Sequence, residues 1–238
     1  RITKAGDDAA GLAVSEKMRA QIRGMEQAER NVQDGISMVQ TAEGALEEAG
    51  NIAQRMRELG VQAGNDTLSS SDRAKIKTEL SELQKEMSDI SKEAKFNGKE
   101  LLSANAASST ITIQAGANSE VREIKMTDLA SIANSVSITN DLSTVGDAQA
   151  FVGKVDKALE AINSGRSTLG TIQNRLEYTA NNLTTSTENL TAAESRIRDV
   201  DVAKEMVTLS KLNILNQASQ AMVSQAKQQP ESVSQLLR

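Results

Sequence analysis

The chain has 238 residues, a net charge of −5, one tyrosine, two phenylalanines and no tryptophan, so its core must be built from small and aliphatic side chains. Acidic and basic residues are mixed along it, without the basic stripe of a nucleic-acid-binding protein. Histidine and cysteine are absent, which excludes disulfides and removes the commonest general base and metal ligands. We therefore expect no catalytic, cofactor or metal site, and a single proline, Pro230, favours long helices.

The first predicted helix begins near Gly6-Asp7-Asp8, where acidic side chains suit a helix N-terminus. Apolar residues then recur every three or four positions from Val14 to Leu59, close to the 3.5-residue period of a coiled-coil seam. Such a helix would be on the order of 80 Å long. The helix also contains glycines, which would either permit close packing or simply be tolerated: Gly24, Gly35, Gly44 and Gly50.

A second helix is predicted after a turn at residues 63–66. It follows a capping segment, Ser69 to Asp72, and carries an apolar stripe from Ile76 to Ala94. Phe96-Asn97-Gly98 is predicted to end it, with Gly98 in the left-handed conformation that a helix stop often needs.

In the middle of the chain the helical spacing of apolar residues gives way to a strand-like alternation. Apolar and polar residues alternate over residues 110–114, and after Gly116-Ala117-Asn118-Ser119 an apolar pattern returns at Val121. This predicts a β-hairpin, and the shifted phase of the alternation suggests a bulge near Arg122 or Glu123. Residues 128–146 are rich in Ser, Asn, Thr and Asp and are interpreted as a loop with short irregular pieces.

The heptad-like stripe resumes from Val152 to Ile197, and a last apolar helix begins near Val202. Three stripes that need mutual burial predict a mainly α fold, an elongated antiparallel helical bundle with coiled-coil-like seams and a small β-hairpin. The last helix has no partner within the chain, so we expect this C-terminal helical arm to be buried against another chain or a missing segment. Its apolar residues are Val202, Met206, Leu209, Leu212, Leu215, Ala218, Met222, Leu236 and Leu237.

Several long runs resemble bacterial flagellin. Residues 6–14 resemble the family's entry into its first long helix, and 34–46 (DGISMVQTAEGAL) its mid-helix signature. Phe96-Asn97-Gly98-Lys99 is similar to the end of its second helix. Residues 189–201 (NLTAAESRIRDVD) and 214–238 resemble the family's C-terminal region. The resemblance covers roughly 1–103 and 148–238, which is more specific than a short motif.

This resemblance implies a structural subunit that polymerises into the flagellar filament for motility. It implies two core helices in 1–103, a hairpin and short variable region in 104–147, a core helix in 148–198 and an inner-tube helix in 199–238. It also implies that an N-terminal segment pairing with that last helix is missing and that the central region is minimal. The expected partners are other copies of the subunit, an export chaperone on the C-terminal arm, and the filament cap and hook-junction proteins. Export by the flagellar type III route, without a cleavable signal peptide, would place it outside the cell; no nucleic-acid or membrane partner is expected.

The resemblance further implies a contact with the animal toll-like receptor for flagellin. The residues would be Gln54, Arg55 and Leu59 on the first helix and Glu79 on the second. A purely structural interpretation is equally open, because Leu59 falls on the apolar stripe while Arg55 and Glu79 could be ordinary solvated charges.

Three other functions fit parts of the sequence less well. A hook–filament junction protein shares the terminal pattern, although residues 228–230 and 236–238 favour flagellin. An enzyme would have to rely on carboxylates, Lys, Ser or Tyr178, none of which lies in a recognisable signature. A free coiled-coil adaptor would need no hairpin. The acidic pairs at Asp7-Asp8 and Asp199/Asp201 are interpreted as helix caps rather than cation ligands.

Overall fold

The computed structural model describes residues 2, 6–138, 142 and 144–236, with side chains up to residue 227. The chain is mainly α, as predicted. In chain order its elements are α1 (Ala9–Ala63), α2 (Ser70–Glu93), β1 (Lys95–Phe96), β2 (Lys99–Glu100), α3 (Ala104–Ser108), β3 (Ile111–Gln114), β4 (Val121–Ile124), α4 (Leu129–Ser135), α5 (Val145–Arg198) and α6 (Val202–Leu236). They form two compact units: Ala20–Asn189, and Arg1–Arg19 with Leu190–Arg238. None of the described helices is both long and apolar enough to cross a membrane.

The larger unit is an antiparallel helical bundle. Arg57 of α1 pairs with Asp156 of α5 at 2.7 Å, while Glu29, near the other end of this stretch of α1, accepts a hydrogen bond from Thr184. The two contacts show that α1 and α5 run in opposite directions. The apolar stripes meet in one core, as predicted, and its fully buried members include Val32, Val39, Leu46, Met56, Leu80, Met87, Leu169 and Leu176.

Side-chain caps begin the helices where the sequence predicts them. Asp8 accepts hydrogen bonds from the Ala10 and Gly11 amides at 3.0 Å at the start of α1. Ser69 caps α2 through the Asp72 amide at 3.2 Å. Asp201 accepts from the Ala203 amide at 3.0 Å and starts α6. These bonds satisfy amides that have no partner within a helix, so the capping interpretation is confirmed for Asp8 and Asp201.

The Asn97-Gly98 pair makes a strand turn and not a helix stop. Helix α2 already ends at Glu93, with Ala94 as its C-cap. Asn97 and Gly98 have φ values of 48° and 78° and connect β1 to β2, which pair antiparallel. Gly98 does adopt the predicted left-handed conformation, but its predicted role was wrong: two consecutive positive φ values fit a two-residue hairpin turn.

The second strand pair is the predicted hairpin, and it has no bulge. The register runs without interruption from Ile111 opposite Ile124 to Gln114 opposite Val121. Arg122 pairs with Ile113, and the buried Ile124 and Met126 follow in regular alternation. The apparent change of phase arises because Val121 lies on the outer face, where it is 45% exposed. The prediction of a bulge near Arg122 or Glu123 was therefore wrong.

Residues 129–135 form a helix, although they were predicted to be loop. The Asp128 side chain caps α4 by accepting from the Ser131 amide at 2.9 Å. Leu129 and Ala133, one turn apart, are fully buried, and Gln84 of α2 donates to the Ala133 carbonyl at 3.3 Å. This short helix covers one side of α2 and extends the core beyond the three long stripes.

Glycines let the chain between α2 and α5 approach the long helices closely. A Cβ on Gly24 would lie 2.9 Å from the Cβ of Ala117, in the β3–β4 loop. Gly35 faces the Ile113 side chain, and Gly165 faces Thr127. Gly44, by contrast, has nothing within 4 Å of such an atom. Of the two interpretations offered by the sequence, close packing applies to Gly24 and Gly35, and tolerance applies to Gly44.

Candidate interaction surfaces

The α1–α2 surface carries a charged cluster centred on Arg55. One terminal nitrogen of Arg55 lies 2.9 Å from Glu79 Oε1 on α2, and the other lies 3.1 Å from Glu58 Oε2, three residues along α1. These hydrogen bonds, chiefly the one to Glu79, raise the pKa of the Arg55 guanidinium. The Arg55 and Glu79 side chains are 52% and 47% exposed. The two ion pairs therefore fix the orientation of the Arg55 guanidinium while leaving it accessible to a partner.

The four predicted receptor residues do not form one surface. Gln54 is exposed beside Arg55 on α1, but Leu59 is only 2% exposed and belongs to the core. Leu59 can influence a partner only by holding α1 in place. Glu58 is a member that the sequence prediction missed, although its spacing of three residues from Arg55 is a usual signal for a helical ion pair.

Helix α6 is exposed on all sides over residues 202–227. The predicted arm residues Val202, Met206, Leu209, Leu212, Leu215 and Met222 are between 50% and 71% exposed, and Ala218 is also exposed. Leu236 lies in the helix beyond the described side chains, and Leu237 is outside the described residues. The predicted stripe is incomplete because Val207, Ile214 and Val223 are equally open, so apolar surface extends around much of the helix.

A network in the smaller unit anchors the end of α5, from which α6 continues. Glu194 is only 13% exposed and lies 3.2 Å from the Nε of Arg19. It also accepts a hydrogen bond at 3.1 Å from the buried Ser15, while Arg198 bridges Glu194 and Glu16 at 3.8 and 3.5 Å. The cluster was not predicted because it joins two distant segments, with Ser15 and Glu194 179 positions apart. The helical spacings of Glu194 with Arg198 and of Glu16 with Arg19 were the available signals.

Comparison with known proteins identifies the family. Residues 1–107 match the family model for the bacterial flagellin N-terminal helical region, and residues 152–237 match that for the C-terminal helical region. A flagellin from Halalkalibacterium halodurans is 53% identical over 241 residues, covering 100% of this chain and 88% of that protein. The chain therefore belongs to the bacterial flagellin family.

Solved structures agree with this assignment. The crystal structure of Bacillus cereus flagellin is 32% identical with a TM-score of 0.58, and the match covers 69% of this chain and 94% of that one. A putative flagellar hook-associated protein from Vibrio parahaemolyticus has a TM-score of 0.66 over 81% of this chain and 100% of that one. At 12% identity that second likeness shows a shared fold alone, so it does not favour the hook–filament junction alternative. The protein is a structural subunit of the bacterial flagellar filament.

Proposed function

We propose that α6 is the arm through which this subunit polymerises, and that before assembly the same surface is covered by an export chaperone. The observation that carries the proposal is the exposure of α6. Over residues 202–227, where its side chains are described, nine large apolar ones are open to solvent: Val202, Met206, Val207, Leu209, Leu212, Ile214, Leu215, Met222 and Val223. A large exposed apolar surface of this kind marks a protein interaction site.

The composition of α6 favours burial in an assembly over a role as a free helix. Between residues 202 and 227 the charged residues are Lys204, Glu205, Lys211 and Lys227, so little polar surface compensates the apolar area. Most of the stability of a protein helix comes from packing an apolar face. Helix α6 has no such packing over its described side chains, and association with other copies would supply it.

A charge placed on the apolar surface tests the assembly role. Leu212→Asp should abolish filaments, because each assembled copy would bury an unpaired carboxylate. Asn213→Asp is the matched control, since it adds the same charge at the adjacent exposed position without removing an apolar side chain. Each allele would replace the flagellin gene in the source bacterium, with filaments counted by negative-stain microscopy and swimming measured in soft agar. Normal filaments with Leu212→Asp would refute the proposal.

The chaperone, the cap and the hook-junction protein are proposed as partners of the same filament subunit, and the flagellar type III route as its path out of the cell. A chaperone that covers α6 would be lost from the subunit in Leu212→Asp and retained in Asn213→Asp. Co-purification from cells in which export is blocked measures this directly. Equal retention by both variants would place the chaperone elsewhere on the subunit.

A second proposal concerns the Arg55 cluster, which we propose as part of the contact with the animal toll-like receptor for flagellin. The exposed Arg55, held by Glu79 and flanked by Gln54, supports this. Arg55→Ala should reduce receptor-reporter activation, and Leu59→Ala should do so by loosening α1. Lys92→Ala is the control, because it removes another exposed ion-paired cation, the partner of Asp89 on α2. Undiminished signalling by a folded Arg55→Ala protein would contradict the proposal.

A further inference from the structure

A groove between the hairpin and α5 is lined by three cations that form no ion pair with a carboxylate in the described part of the chain. Its volume is about 600 Å³, and Arg122 and Lys125 line it from β4 and the residues that follow, while Arg175 lines it from α5. None of the three forms an ion pair with a described residue, whereas Arg55, Arg57 and Arg166 of the same unit all do. The groove also contains one acidic residue, Glu123. A local excess of positive charge in a chain of net charge −5 points to an anionic ligand.

A second cavity, of about 490 Å³, adjoins this groove through Arg122, which lines both. It contains the only tyrosine of the chain, Tyr178, which is 75% exposed. The cavity also has uncharged polar side chains that form no hydrogen bond within the described part of the chain: Gln21, Asn182 and Ser186. Arg175, Tyr178 and Asn182 follow one another at spacings of three and four residues, so they share one face of α5.

Two hydrogen bonds hold Arg122 in position between the groove and the second cavity. Its Nε donates to Thr179 Oγ1 at 3.4 Å, and one terminal nitrogen donates to the Val121 carbonyl at 3.2 Å. Glu120 lines the second cavity, and backbone hydrogen bonds, with a smaller contribution from the Arg122 charge, lower the pKa of its carboxyl. Its carboxylate accepts a hydrogen bond from the Asn118 amide at 3.1 Å and forms no ion pair with the Arg122 guanidinium. A guanidinium that is oriented and still has free N–H groups suits a carboxylate, sulfate or phosphate oxygen.

We propose that this face, made of Arg122, Lys125, Arg175, Tyr178 and Asn182, binds an acidic polysaccharide. The tyrosine ring offers an amphipathic surface on which a sugar ring can stack, and the free amides can bond to its hydroxyls. The cations would take the acidic groups of the neighbouring sugars. A protein partner fits less well, because Lys and Glu are depleted at protein interfaces, whereas Lys125 and Glu123 both line this groove. The cavity that contains Tyr178 combines Gln21, Asn182 and Ser186 with the apolar Met25 and Leu183, a mixture that suits the polar and apolar faces of a sugar ring.

The test is titration calorimetry of the purified chain with a heparin octasaccharide, and with maltooctaose as the uncharged sugar. Heparin is expected to bind at least about tenfold more tightly, and its affinity should fall with added salt as exposed charges are screened. Arg122→Gln should weaken heparin binding about tenfold, the loss expected for one charge-assisted hydrogen bond. Tyr178→Ala should also weaken it measurably. Lys157→Gln is the control, because it removes an exposed cation of α5 that lines neither the groove nor the second cavity.

Circular dichroism confirms that each variant is folded before its affinity is compared. The proposal is overturned if the wild-type chain does not bind heparin, or if Arg122→Gln and Lys157→Gln weaken binding equally. It is also overturned if Tyr178→Ala binds heparin normally, because the site would then be a general polyanion surface. Equal affinity for an octathymidylate would point to single-stranded nucleic acid instead, and a Tyr178→Ala defect confined to self-association would point to a protein interface.

Discussion

Substituting Gly165 with alanine tests the close approach of Thr127 to α5. An alanine Cβ at this position would lie 3.0 Å from Thr127 Cγ2, 3.1 Å from its Cβ, and in contact with its Oγ1. Carbon atoms pack best at about 3.5–4.0 Å, so the new methyl group overlaps its neighbour. Rotation of the Thr127 side chain exchanges one branch for the other, and the Thr127 carbonyl is bonded to the Leu129 amide at 3.2 Å, which opposes a backbone shift.

The expected magnitude follows from two opposing effects. Alanine stabilises a helix interior over glycine by about 1 kcal/mol. Over-packing a filled site costs about 1–3 kcal/mol. Gly170 lies in the same helix, and a methyl group added there would have nothing within 4 Å, so Gly170→Ala should gain the first effect without the second. The two variants should therefore differ by about 1–3 kcal/mol in the free energy of unfolding, with Gly165→Ala the less stable.

Urea unfolding followed by circular dichroism at 222 nm measures this difference. Thermal unfolding gives a second readout, in which a domain of 150–250 residues changes its Tm by about 2–4 °C per kcal/mol. A gain in Gly165→Ala equal to that in Gly170→Ala would refute the reasoning, because it would mean that Thr127 moves aside at no cost.

Two further predictions concern the cap of α2 and the central core. Hydrogen bonding, chiefly from Ser69, lowers the pKa of Asp72 below 3.8, so the stability from this interaction is present above that pH and is lost as acid protonates the native carboxylate. Ser69→Ala should lower the midpoint of urea unfolding at pH 7, and the difference in midpoint between variant and wild type should shrink on acidification below pH 3.8. A difference that does not change with pH would show that the Asp72 carboxylate does not contribute to it. Leu46→Ala should cost about 2–5 kcal/mol in urea unfolding, because it empties a fully buried site. Val61→Ala, at a position 57% exposed, should remain within about 0.5 kcal/mol of wild type, and similar losses in both variants would contradict the assigned core.

The long helices were predictable because their burial repeats along the sequence. Leu46 of α1, Leu80 of α2 and Leu176 of α5 all lie on heptad-like stripes, and all are buried. The short elements were harder to predict because the signal is only one turn or one strand long. Leu129 and Ala133 are the two buried positions of α4, and Ser and Asn around them give the composition of a loop. Val121 suggested a bulge because an apolar residue was assumed to point inward.

One of the two candidate interaction surfaces could be predicted from the sequence, and the other could not. An apolar helix can be recognised from sequence, and the side chains of α6 are exposed from residue 202 to residue 227. The face around Arg122 could not be predicted, because it combines a strand residue with Tyr178 and Arg175 of a helix more than fifty positions later. Only the fold brings the three side chains together.

The close contacts of the glycines also bear on how this sequence can change over generations. Gly24 meets Ala117, Gly35 meets Ile113 and Gly165 meets Thr127, so in each pair the empty position on the helix is filled by the side chain opposite. At Gly165 the close atoms all belong to the short Thr127 side chain, so a larger residue there becomes acceptable when Thr127 shrinks. At Gly35 the close atom is the flexible end of Ile113, which can turn away, and at Gly24 the backbone of Ala117 is close as well. Substitutions at Gly165 and Thr127 are therefore expected to arise together, and Thr127→Gly is the natural suppressor to seek for a damaging Gly165→Ala.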